Sequence, residues 1–274
     1  MPDGGRVRVM RLLEAHGLRP DTDLGQHFLL DENLADLAVR EAGVGPEDVA
    51  YEVGAGLGVL TAALAREARA VHAVEIDRRL EPALAEVVAR TRNVQVHWGD
   101  AMRLPVEELD PPPTVMVANL PYAIATPVVL ESLWRLPDVS RWCVMVQREV
   151  ADRWLAEPGG RLYGAPSVLL LLAAEPTFRR AVGREVFTPR PRVDSSLVAL
   201  RRTGPGPSPA VRSLVRAAFA SRRKTLVNSL AAAGAAKAAV AEALERLALP
   251  PAARPEQLPP AAFPALAEAL AWPG

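Results

Sequence analysis

With 274 residues, 50% hydrophobic and 23% charged, the chain has the composition of a soluble, well-cored protein: one domain of about 200 residues plus a small appendage. A single cysteine, Cys143, excludes an internal disulfide. No run reaches the roughly 18 apolar residues of a membrane span, and Met1–Met10 lacks a signal-peptide core, so a cytoplasmic protein is expected. The net charge of zero hides an asymmetry: residues 201–274 hold ten basic and four acidic side chains, and 179–224 hold twelve Arg or Lys against Glu185 and Asp194. A field of that sign suits a polyanion.

Strand and helix patterns alternate through the first 200 residues. Asp48–Val53 is a β-rich run ending in glycines, and Val59–Arg69 has helical character. Val71–Glu75 is a second strand, followed by a helix over Arg78–Arg90; Val94–His97 and Thr114–Ala118 are the third and fourth strands. Val128–Leu136 has helical spacing, Arg141–Val146 is a fifth strand that places Cys143 in a buried position, and Ser196–Leu200 adds one more. Strands separated by helices predict an α/β fold: a Rossmann-like, mostly parallel sheet with helices on both faces. The run Gly204-Pro205-Gly206-Pro207-Ser208-Pro209 can continue neither element and marks the expected boundary between domains 1–203 and 204–274. Beyond it, Val211–Ala220, Thr225–Ala233, Ala235–Leu247 and Pro260–Leu270 predict a small all-α domain.

Four motifs carry chemistry. Glu52-Val53-Gly54-Ala55-Gly56-Leu57-Gly58 follows the first strand and opens a helix, where glycines permit a tight turn and a ligand's close approach to main chain. A dinucleotide site would show G-x-G-x-x-G. The G-x-G-x-G spacing behind an acidic residue suits a sulfonium cofactor, which has a cationic end and no phosphate. Glu75 ends the second strand, where a carboxylate can accept ribose hydroxyls. Asp100, in Gly99-Asp100-Ala101 after the third strand, can accept from an adenine amino group. Carboxylates at strand C-termini fall where open α/β sheets bind ligands.

The fourth motif, Asn119-Leu120-Pro121-Tyr122, follows the fourth strand. An adenine N6 amine is a poor nucleophile because its lone pair is delocalised into the ring. The Asn119 side-chain carbonyl and the Leu120 backbone carbonyl can accept its two hydrogens and draw the nitrogen towards tetrahedral geometry. Pro121 fixes φ, and Tyr122 offers a face on which a flipped base can stack. Attack on a sulfonium methyl requires no general base, so much of the catalysis is alignment.

In this order the motifs resemble the KsgA-type ribosomal RNA adenine dimethyltransferases. The likeness runs from Leu24-Gly25-Gln26-His27-Phe28-Leu29 through Glu75-Ile76-Asp77, Tyr163-Gly164 and Phe187–Ser195 to Phe219–Leu226. It implies a class I methyltransferase fold and S-adenosylmethionine as cofactor, contacted by His27, Leu29, Gly54, Gly56, Glu75, Asp100 and Asn119. Leu120, Pro121, Tyr122 and Phe187 complete the catalytic set, with Tyr122 and Phe187 as the aromatic pair around the flipped adenine. No metal is implied. The implied substrate is a pair of adjacent adenines near the 3′ end of rRNA in a small-subunit precursor, dimethylated by a monomer. His27 stands where Asn is commoner, and Ala123 where many relatives carry Asn. Two other readings compete: the sister enzymes that dimethylate large-subunit rRNA and confer antibiotic resistance, and a mainly RNA-binding assembly factor. The Phe219–Leu226 segment favours the small subunit, and the intact tetrad argues for activity. Arg222, Arg223 and Lys224, which on a helix would fan across about 200°, are the expected RNA contacts.

Overall fold

The computed structural model describes residues 4–221 and 224–274. Among the described residues nine strands run in chain order: β1 (Phe28–Leu29), β2 (Val49–Val53), β3 (Ala70–Glu75), β4 (Val94–Trp98), β5 (Val115–Asn119), β6 (Arg141–Gln147), β7 (Ala174–Val182), β8 (Phe187–Thr188) and β9 (Ser195–Arg202). Seven form one sheet in the order β4-β3-β2-β5-β6-β9-β7, while β1 and β8 form a separate antiparallel pair. From β4 to β6 the pairings are parallel; β9 returns antiparallel to β6 with Gln147 opposite Ser195.

All five residues of β2 are buried, as expected for a parallel strand covered on both faces. Alternate residues serve alternate layers. Val115, Val117, Cys143 and Met145 join Leu34, Leu60 and Leu64 in one cluster under the helices Glu32–Glu41 and Val59–Glu67. On the opposite face Trp142 donates its indole N–H to Ser132 of the helix Ala125–Arg135 at 2.8 Å. The α/β sheet with helices on both faces is therefore present, and Cys143 is fully buried, which pushes its thiol pKa well up.

Chain packing divides the molecule into two units, Met1–Ala151 with Pro176–Arg202, and Asp152–Glu175 with Thr203–Gly274. This corrects the expected single cut at 203/204. The segment 152–175 goes with the helical unit because its apolar groups find partners there: Tyr163 donates to the Leu258 carbonyl at 2.9 Å and meets the Phe219 ring edge-on at 6.2 Å. The four expected helices of this unit appear as Pro209–Phe219, Leu226–Ala232, Lys237–Arg246 and Ala262–Ala269. Ser208 and Thr225 cap the first two, each accepting a backbone N–H three residues on.

Candidate active site

The C-terminal ends of β2, β3 and β5 open onto a cleft, and their end residues line it together with Leu24–Leu29 and the turn after β4. His27, Leu29, Gly54, Gly56, Glu75, Asp100, Asn119, Leu120, Pro121 and Tyr122 all stand on its wall. Residues from five separate chain segments thus converge on one space.

The floor is the glycine turn. Gly54 has φ +81 and lies so close to the tetrad that a Cβ would meet Pro121 Cδ at 3.4 Å and the Asn119 carbonyl at 3.5 Å. Gly56, at φ +57, would set a Cβ 3.1 Å from the Phe28 ring. Both positions combine a left-handed backbone with a space that a side chain would fill.

Glu75 is almost fully buried, and its carboxylate accepts three backbone N–H groups: Gly56 at 2.8 Å on Oε2, and Ile76 and Asp77 at 2.9 Å on Oε1. Burial pushes its pKa up and the three donors pull it back. A carboxylate offers about four lone-pair sites, so Oε2 keeps room for one further donor. One ribose hydroxyl of the expected pair would find that open site on a carboxylate already locked to the glycine turn. Asp100 Oδ1 accepts the Met102 N–H at 2.9 Å, and Oδ2 lies 3.5 Å from the exposed Arg103.

Glu52, also on the cleft wall, is 1% exposed and its Oε2 has no hydrogen-bond partner. Burial pushes its pKa up to about 8; the Thr61 hydroxyl beside it opposes that shift without making a well-aligned bond to Oε2, and the Glu75 charge adds to it. An unpartnered buried carboxyl facing a cleft is a seat for a cationic group. The glycine cradle, the open lone pair of Glu75 and the orphaned oxygen of Glu52 together fit a sulfonium amino-acid nucleoside. No cluster of metal-ligating side chains occurs among the described residues.

Asn119 ends β5, and its Nδ2 donates to the His27 carbonyl at 3.0 Å. A carbonyl only accepts, so this bond fixes which way the amide faces and leaves Oδ1 to accept from a ligand. His27 is the hub of this corner. Its Nδ1 lies 2.7 Å from the Pro189 carbonyl and must carry the proton there; its ring stands 5.4 Å from the half-buried Tyr122. Tyr122 is aimed in turn by a 2.8 Å bond between its hydroxyl and Ser195 Oγ at the start of β9.

Phe187 departs from expectation. It is 2% exposed, belongs to the main hydrophobic cluster and does not line the cleft. The reason is the β1–β8 pairing: Phe187 lies opposite Leu29, and its ring packs into the core behind that pair. Among the described residues, the aromatic rings on the cleft wall belong to His27, Phe28 and Tyr122. In the second unit, Arg222 and Arg223 lie outside the described residues. Lys224 is exposed but not helical; it sits in a bend between Pro209–Phe219 and Leu226–Ala232, so the helical fan does not apply to it.

Gln26 and Asp77 were legible only as members of longer motifs. Gln26 donates to Asp77 Oδ2 at 2.8 Å and accepts the Asp21 N–H at 2.7 Å, while Arg79 bridges Asp77 and Asp21 at 2.7 and 2.9 Å. These bonds fasten the segment 21–27 across the end of β3. The Arg79 guanidinium holds Asp77 below the usual carboxylate range, against the effect of burial. A depressed pKa stabilises the folded state above the ordinary carboxylate value, and that contribution is lost as pH falls through the lowered one. Stability curves of parent and Asp77→Asn should therefore be offset at neutral pH and converge below about pH 4. An offset independent of pH would mean that the charge of Asp77 is not what fastens the segment.

Comparison with known proteins follows the same lines. Residues 17–263 match the family model for ribosomal RNA adenine dimethylase. The chain is 46% identical to a ribosomal RNA small subunit methyltransferase A of Thermobifida fusca, over 95% of this chain and 93% of that protein. It is 46% identical to one of Rubrobacter xylanophilus, over 90% and 94%. Among solved structures it resembles a dimethyladenosine transferase from Plasmodium falciparum (TM-score 0.74, 25% identity, 88% of this chain and 96% of that one). It also resembles the 23S rRNA methyltransferase ErmE (TM-score 0.66, 28% identity, 89% and 99%).

Proposed function

Since the chain belongs to the ribosomal RNA adenine dimethylase family, we propose that it transfers methyl groups from S-adenosylmethionine to the N6 amines of two adjacent adenines near the 3′ end of small-subunit rRNA. The observation that carries this reading is the Asn119 amide, pinned through Nδ2 to the His27 carbonyl so that Oδ1 faces a cleft that already fits the cofactor.

When bound, the cofactor supplies an electrophilic methyl on a cationic sulfur. Glu75 provides a charged acceptor for its ribose end, the buried Glu52 carboxyl would be drawn into its ionised form by a cationic group beside it, and Asp100 provides an acceptor for its adenine amine. Asn119 Oδ1 and the Leu120 carbonyl take the two hydrogens of the substrate amine and bring its lone pair out of conjugation. Tyr122, aimed by Ser195, stacks on the target ring, and the buried Phe187 supports the Leu29 wall from behind. After transfer the nitrogen is acidic enough to lose its proton to water, so no side chain need act as base.

The Phe219–Leu226 segment and relatives named as small-subunit enzymes favour that substrate over large-subunit rRNA. Arg222, Arg223 and Lys224 remain the proposed RNA contacts of the helical unit, and the protein is proposed to act as a cytoplasmic monomer; among the described residues no helix is long and apolar enough to cross a membrane. Incubation with methyl-labelled cofactor and, in parallel, undermethylated small subunits and large subunits, followed by mapping of the modified nucleotides, tests the reading. Label on two neighbouring N6-dimethyladenines is expected. Label confined to large-subunit rRNA, or none, overturns it.

A further inference from the structure

The structure sorts the basic run that composition reveals. Arg184 sets its guanidinium 3.1 Å from Asp194 and donates to the Arg192 carbonyl at 3.3 Å; Arg148 approaches the same carboxylate at 3.9 Å. Arg184, just before β8, and Arg148, just after β6, tie the loop after β8 to these neighbouring segments and neutralise its one acid. Arg190 and Arg192 differ from them. Both are exposed, and neither makes an ion pair or a side-chain hydrogen bond among the described residues.

Their position is fixed from both ends. One residue before Arg190, the Pro189 carbonyl is held by the His27 ring at 2.7 Å. Three residues after Arg192, Ser195 holds the Tyr122 hydroxyl at 2.8 Å. Both anchors belong to the wall where the target base is proposed to stack. Three residues of chain span at most about 11 Å, so the backbone of both arginines lies within that distance of an anchor of that corner, within reach of its rim for their exposed side chains. Two neighbouring, uncompensated cations repel each other, a cost that an anion between or beside them removes. Guanidinium forks match the paired oxygens of phosphate.

Resting on the rRNA-methylating reading of the site, we propose that Arg190 and Arg192 bind the backbone phosphates flanking the adenosine whose base enters the cleft. They hold the strand while the base is turned out of its stack, so they contribute to substrate binding and not to the transfer step.

The test is steady-state methylation of undermethylated small subunits across a series of salt concentrations. The double variant Arg190→Gln/Arg192→Gln should raise KM for the particle on the order of tenfold while kcat at saturating particle and cofactor affinity stay near the parent's. Losing two phosphate contacts should reduce the log–log salt slope by roughly 1.4–1.8. Arg190→Lys/Arg192→Lys, which keeps the charge, should restore most of the slope. The charge-matched pair Arg69→Gln/Arg92→Gln, exposed residues just before β3 and β4 at the sheet end away from the cleft, should leave KM unchanged. An unchanged KM and slope in the first variant, or an equal shift in the control pair, overturns the proposal while the parent's activity still stands. A parent that methylates no adenine in the particle overturns the underlying reading instead.

Discussion

Asn119→Ala is expected to lower the rate of methyl transfer by on the order of 100-fold or more, the usual cost of removing a preorganised polar partner from an active site. The effect is large because the acceptor is fixed before substrate arrives: Nδ2 is committed to the His27 carbonyl at 3.0 Å, so Oδ1 needs no reorientation to meet the amine. The side chain sits at the end of β5 and is only half-buried, so its truncation should leave the thermal midpoint near the parent's. Asn119→Asp sharpens the test. A carboxylate has no hydrogen for the His27 carbonyl and would face it with like partial charge, so this near-isostere should also be inactive. Single-turnover transfer of labelled methyl to small subunits measures both. Near-parent turnover in either variant would remove Asn119 from the chemistry.

For Glu75→Ala the expected result is a rise in the cofactor dissociation constant of about ten- to hundredfold, equivalent to roughly 1.5–3 kcal/mol for a charge-assisted hydrogen bond. Two effects add here. The ribose loses its acceptor, and the N–H groups of Gly56, Ile76 and Asp77 lose the carboxylate that holds the glycine turn against β3. Glu75→Gln separates them, since its amide oxygen can keep part of the backbone network while the charge is gone; it should fall between parent and Glu75→Ala. Calorimetric titration with the demethylated cofactor reads the constants directly. An affinity unchanged in both variants would reduce Glu75 to a strand-end fastener.

The parallel core could be read from the chain alone, because β2, β3, β5 and β6 are short, mainly apolar β-rich runs bounded by turn residues and their period is local. So could the four helices after residue 208, marked by the caps Ser208 and Thr225 and by proline breaks. The motif residues of the cleft were equally legible, since each sits at a strand end and strand ends of one parallel sheet gather on one edge. What the sequence left out were elements whose cause is distant. The strands β1 and β8 are two residues each and exist only by pairing with one another across 160 positions of chain. That pairing turned Phe187 inward, against an expectation drawn from its place in a motif. The helix Glu32–Glu41 is different: Asp31, which caps it at Asn33 and Leu34, is a start signal present in the sequence itself. The single domain cut differs for a reason similar to that of Phe187: residues 152–175 carry no composition different from the sheet unit, and it is packing that assigns them, through contacts such as Tyr163 with Phe219 and Leu258 and the Gly159 N–H donated to the Glu256 carbonyl. The roles of Gln26, Asp77, Ser195 and the free pair Arg190 and Arg192 likewise depended on which partner each side chain met. Hydrophobic period and turn chemistry are written in neighbouring residues, whereas hydrogen bonds and ion pairs between remote segments form only once the packed core has brought them within about 3 Å of each other.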